Sequence, residues 1–255
     1  MRRRGDGGYD YEICGVIVSM MMRAKPSHVP AQQTTAHSRT DGDTMAGNLL
    51  PLVRSNIAIL SQKIALLDLM VSRHGVTTAS SHFVAPCPIV GASIGQHYRH
   101  SMDHVELVAL VADTADKQSS SSSISDVMEE LHYDLRVRGG TLETDVDMSR
   151  KRLVDVVAIF RQLEFRSPQQ SQMDESITSR PIAAYFNLSA DTNDEIRLLS
   201  TIGRELGFAA HHAIHHMAMV KIIATKTLGY DENELPHGFG RAPSTLLFDG
   251  KKLKT

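Results

Sequence analysis

Apolar side chains that return every three or four residues constrain this chain more than any other feature. Leu49, Leu52, Val53, Ile57, Leu60, Ile64, Leu67 and Val71 follow that spacing and predict an amphipathic helix ending before Gly75. Pro51 fits this helix only in its first turn. After a loop with Pro86 and Pro88, a second helix is expected from near Ser93 to about Lys117. A third runs from Asp147 to Phe165, with Leu153, Val156, Val157, Phe160 and Leu163 on its apolar face and Thr144 or Asp145 as its cap. A fourth is capped by Thr192 or Asn193, runs to about Thr227 and ends at Gly229. Leu198, Ile202, Leu206, Ala209, Ala213, Met217 and Val220 form its strongest apolar stripe. Four helices of roughly 20 to 35 residues, with few strand signals, predict an all-α four-helix bundle.

The segments between these helices are polar or punctuated. The serine run Ser119 to Ser123 reads as a flexible break, and Leu131 to Asp145 as a connector around Gly139 and Gly140. Residues 166–180 form a polar loop, and Pro181 to Leu188 is either extended or a packed strap. The tail GFGRAPSTLLF is expected to lie over the bundle. Residues 1–45 read as a disordered leader before a domain over 46–255. Ile13 to Met22 is apolar and follows Arg2, Arg3 and Arg4, but Asp6, Asp10 and Glu12 interrupt a targeting pattern. Organelle targeting is the lesser reading of that stretch; a leader of unclear purpose, or a mispredicted start upstream of Met45, fits better.

Charge and cysteine content exclude several classes. A net charge of −2 gives no electrostatic reason to expect nucleic acid or an anionic membrane as partner. No stretch reads as the ~20 apolar residues of a membrane span. Cys14 and Cys87 form no disulfide framework, which fits a reducing, cytoplasmic compartment. A metal site would have to be built from histidines and carboxylates.

Seven of the thirteen histidines fall in two helical stretches: His97, His100 and His104, then His211, His212, His215 and His216. Neutral imidazole is a common transition-metal ligand, and two of them four apart on a helix can converge on one ion. The fourth helix offers His211 with His215 and His212 with His216, which face directions ~100° apart and cannot share an ion. The apolar stripe favours His212 and His216, although a modest rotation of the helix would favour the other pair. His97, His100 and His104 share one face of the second helix, and any of the three is placed to complete a tripod.

These residues carry a family resemblance. SIGQHYRHSMDH, from Ser93 to His104, and GRELGFAAHHAIHHMAM, from Gly203 to Met219, resemble the second and fourth helices of the DinB/YfiT-like superfamily. A subset of that superfamily also shows a connector like Tyr133, Asp134, Arg136, Arg138, Glu143 and Asp145, and a tail like Ala242 to Leu246. The resemblance covers residues 48–248 and implies an up-down-down-up bundle. It implies His100, His212 and His216 as metal ligands, His97 and His104 behind them or facing substrate, and His215 in packing.

The activity implied is a metal-dependent hydrolase or a thiol-dependent transferase. The ion is Zn²⁺ by default, with Ni²⁺ or Fe²⁺ as alternatives, and the substrate is a small molecule such as a thiol. Glu205 and Glu106 are candidate acid/base groups or else solvated surface residues. Tyr133, Arg136 and Arg138 are candidates for binding an anion, or for clamping the connector to the bundle. The competing reading is a non-catalytic bundle used for binding or assembly, with a homodimer among its forms.

Overall fold

The first periodic segment forms α1 (Leu49–Val84), with Pro51 in its first turn, where the missing N–H has no helical partner to lose. Gly75 does not stop this helix. It kinks it, at φ 74°, a left-handed conformation open to glycine, and helical backbone resumes to Val84. The computed structural model describes residues 49–119, 128–135, 138–166, 174–192 and 194–252. The expected leader of residues 1–45, most of the serine run, Arg136 and the Asn193 cap lie outside the described residues.

Helix α2 (Ile94–Ser119) opens with a reciprocal cap. The Gln96 N–H donates to Ser93 Oγ at 3.1 Å, and the Ser93 N–H donates to Gln96 Oε1 at 2.9 Å. After β1 (Glu130–His132) and the single turn α3 (Thr141–Thr144), helix α4 (Val146–Glu164) starts on Asp145. That carboxylate accepts from the N–H groups of Asp147 and Met148, so of the two candidate caps Asp145 is the one used.

The fourth helix begins later than its apolar stripe predicts. After the short α5 (Asp174–Thr178) come β2 (Pro181–Phe186) and β3 (Ile196–Thr201), and only then α6 (Ile202–Ile222). The strand order is β1-β2-β3, with β1 parallel to β2 and β2 antiparallel to β3, so that Ala183 faces Leu199. The Thr192 or Asn193 cap is therefore corrected to Thr201, whose side chain accepts from the Arg204 N–H. Leu198 is a 45% exposed strand residue, not part of the helix core. An apolar residue four before Ile202 satisfies a helical spacing, but six consecutive backbone pairings with β2 win over that local signal. The chain is thus mostly helical with a small sheet, and the all-α expectation is corrected to that extent. Pro181 to Phe186 takes the extended of its two readings.

Helix α6 runs into a π-helical turn (Ile223–Thr227), and Gly229 follows at φ 72°. The tail, expected to lie over the bundle, carries a regular helix, α7 (Pro243–Lys252). Helix α1 packs on α4 and α6, and α2 packs on the same two. Leu60, Leu67, Met102, Phe160, Leu206 and Ala213 are fully buried between them. Each large apolar side chain contributes about 1.5–3 kcal/mol by leaving water. By length and composition α1 contains a window apolar enough to cross a membrane, yet it also supplies much of this core, as core helices of that composition do.

Candidate metal centre

Helices α2 and α6 pack face to face and bring the two histidine clusters together. One ring nitrogen from each of His100, His212 and His216 lies within 4.8 Å of the others. His212 Nε2 and His100 Nε2 are 3.1 Å apart. Two ligands of one tetrahedral ion at ~2.0–2.1 Å are roughly 3.4 Å apart, so this pair needs little movement to share an ion. The ring centroids are 4.9 Å apart for His100 and His212, 4.6 Å for His100 and His216, and 4.5 Å for His212 and His216. His211 and His215 are exposed, so the rotation of α6 that would favour the other pair does not occur. The three clustered histidines are half-buried.

Two further histidines brace them. His97 is 8% exposed, and its Nδ1 lies 2.8 Å from Nδ1 of His216. That contact engages Nδ1 of His216, so Nε2 would be the nitrogen to meet an ion. His104 is buried and sandwiched, with its ring stacked 4.3 Å from His212 and 4.5 Å from Tyr133. Burial, followed by the neighbouring His100, His212, His97 and His215, holds His216 far below the ordinary imidazole range. It is neutral at pH 7, with a lone pair to give. The donor set therefore fits a borderline divalent ion: three imidazoles, and neither thiolate nor carboxylate in the group.

The carboxylates fall elsewhere. Glu205 is fully buried, not a solvated surface residue. It accepts from Tyr133 Oη at 2.8 Å, from Ser200 Oγ at 2.6 Å and from Arg204 Nη1 at 2.5 Å. Burial first, then the Glu205 charge, pushes the Tyr133 phenol well above its usual range, so it remains a hydrogen-bond donor. Glu106 is buried and paired with Arg152. Of the connector's candidate anion binders, Tyr133 is buried beside His104 and Arg138 is exposed. The clamp is made by Glu143, which sequence reasoning did not single out for that role. It accepts from Arg99 Nε at 2.9 Å and from the Gly139 N–H, and Arg99 also reaches Asp103 at 3.2 Å. Arg99 directly precedes His100, so the connector anchors the part of α2 that carries the cluster. Gly95 permits this, because a Cβ there would overlap the Glu143 carbonyl.

No family model matches the chain, and no solved structure does. The chain is similar to FK506-binding protein 5 of Rhizopus delemar, 30% identical over 122 residues, which are 48% of this chain. It spans only 28% of that protein's length.

Proposed function

We propose that this chain is a divalent-metal protein of the DinB/YfiT-like type, with the ion on His100, His212 and His216. Its four longer helices form an up-down-down-up bundle. The observation that carries the reading is the convergence of three imidazole nitrogens from two facing helices within 4.8 Å. The half-buried setting supports a catalytic use over a purely structural one, because a closed structural site would need a fourth protein ligand. Bound there, a divalent ion supplies Lewis acidity and lowers the pKa of a coordinated water. His97 and His104 hold the ligand rings, and the Tyr133–Glu205 pair holds His104 from behind. The reaction is hydrolysis or transfer to a small thiol.

Elemental analysis of purified wild type, His100→Ala and His212→Ala tests the site. Each substitution is expected to remove one equivalent of metal. Metal content unchanged by both substitutions refutes it. Turnover of an activated ester, or alkylation of a small thiol, lost in the same variants, tests the enzyme reading. A second reading, assembly through the sheet, is favoured by Ile196, Leu198 and Leu199, which leave apolar surface on the edge strand β3.

A further inference from the structure

A second set of donor atoms sits where the kink of α1 meets the segment after the π-helical turn. His74 and His82 flank Gly75, and Tyr230 follows Gly229. The His74 ring centroid lies 4.8 Å from that of His82 and 5.5 Å from that of Tyr230. On a straight helix, residues eight apart are separated by about 12 Å along the axis. The left-handed Gly75 is what folds the two imidazoles onto each other. His74 Nε2, His82 Nδ1 and Tyr230 Oη are all buried, and none has a hydrogen-bond partner among the described residues. Buried polar atoms without partners are costly and uncommon, and here three belong to one cluster, in which the His74 ring touches both others.

We propose that His74, His82 and Tyr230 form a second site, for a divalent transition ion of the zinc class. Two imidazoles on one ion at ~2.0–2.1 Å have centroids about 4.5–5.2 Å apart. The three pairs of the first cluster measure 4.5 to 4.9 Å at interplanar angles of 65° to 81°. The His74–His82 pair, at 4.8 Å and 75°, falls inside both ranges. Tyr230 supplies the oxygen: its O–H bond breaks as the metal–oxygen bond forms, and the proton leaves to solvent with no change of oxidation state. Arg73 lies over the Tyr230 ring at 4.7 Å, but its Nη1 donates to Glu234 Oε2 at 2.6 Å, so the pair brings no net positive charge. An ion here would tie both halves of the kinked α1 to the chain that leaves α6. This site shares no residue with the first cluster.

The test uses the full chain carrying His100→Ala and His212→Ala together, stripped with chelator and titrated with Co²⁺ as a spectroscopic probe. One saturable equivalent with visible absorption, displaced by Zn²⁺, is expected. Adding His74→Ala or His82→Ala should weaken it at least tenfold, and Tyr230→Phe should weaken it and alter the spectrum. If the starting variant fails to fold, the His82→Ala substitution in the wild-type background should remove one of two equivalents. The absence of a saturable Co²⁺ band, or a band untouched by His82→Ala in a variant that folds, overturns the proposal.

Discussion

Replacing Lys63 with methionine should stabilise the protein near neutral pH and do so progressively less as the pH rises. Lys63 is 1% exposed inside the helical core. Its Nζ donates to the Tyr98 carbonyl at 3.1 Å and to Ser101 Oγ at 2.8 Å, and it lies 4.6 Å from the Tyr98 ring centroid. Among the described residues no carboxylate pairs with it directly. Burial lowers its pKa from 10.5 to about 7, against the opposing pull of Asp103. Between those two values the unfolded chain binds a proton that the folded chain does not, so stability rises with pH there. Each pH unit in that window is worth about 1.4 kcal/mol, so the gain from pH 7 to 9.5 is about 3 kcal/mol. Methionine keeps the length of the side chain, and Ser101 Oγ still donates to the His97 carbonyl at 2.7 Å. Urea denaturation of metal-free wild type and Lys63→Met, compared at pH 7, 8 and 9.5, cancels the titrations common to both. The stability advantage of Lys63→Met should fall by about 3 kcal/mol across that range. A constant difference refutes the reasoning, because it means that Lys63 keeps its proton in the folded core.

Three further outcomes follow from the same contacts. Gly95→Ala should destabilise by about 1–3 kcal/mol in chemical denaturation, because its Cβ would overlap the Glu143 carbonyl and lie 2.8 Å from Phe83 Cε1. Tyr133→Phe should cost about 1.5–3 kcal/mol, since it strips one donor from the fully buried Glu205; Glu205→Gln added to it should recover part of the loss. Zinc at a hundredfold excess over its dissociation constant should stabilise wild type by about 2.7 kcal/mol per site, read as a rise in Tm. His212→Ala should lose one site's share of that rise, and EDTA should abolish it.

Helix positions were legible where spacing and a cap agreed. The Asp145 cap and the Leu153 to Leu163 stripe place α4 within a residue or two, and Ser93 places the start of α2. The failure at the start of α6 has a physical reason. Ile196 to Thr201 carries apolar residues at spacings that suit a helix, and nothing local records that β2 will pair with it. Gly75 misled in the opposite sense, because glycine tolerates both a helix end and a kink that continues. Which histidine pair of α6 faces α2 was legible from the apolar stripe, since the same burial that turns Ala213 and Met217 inward turns His212 and His216 with them. What spacing could not show is the support: His97 against His216, Tyr133 against His104, and Glu143 holding Arg99 all join residues far apart in sequence.

The two histidine groups differ in how their geometry arises. In the first, the i, i+4 pair is made by helical periodicity and a third ring comes from a neighbouring helix, so a period search finds most of it. In the second, the pair is eight apart and meets only because the helix breaks between them at Gly75. A period search rejects that pair for the reason that makes it close. The histidines of both groups are half-buried, but in the second His74 Nε2, His82 Nδ1 and Tyr230 Oη are buried without a hydrogen-bond partner among the described residues. If both proposed sites hold an ion, the first joins two neighbouring helices and the second ties the two halves of a kinked helix to the chain after α6. Mutating the first should change chemistry with modest change in stability, and mutating the second should change stability with modest change in chemistry.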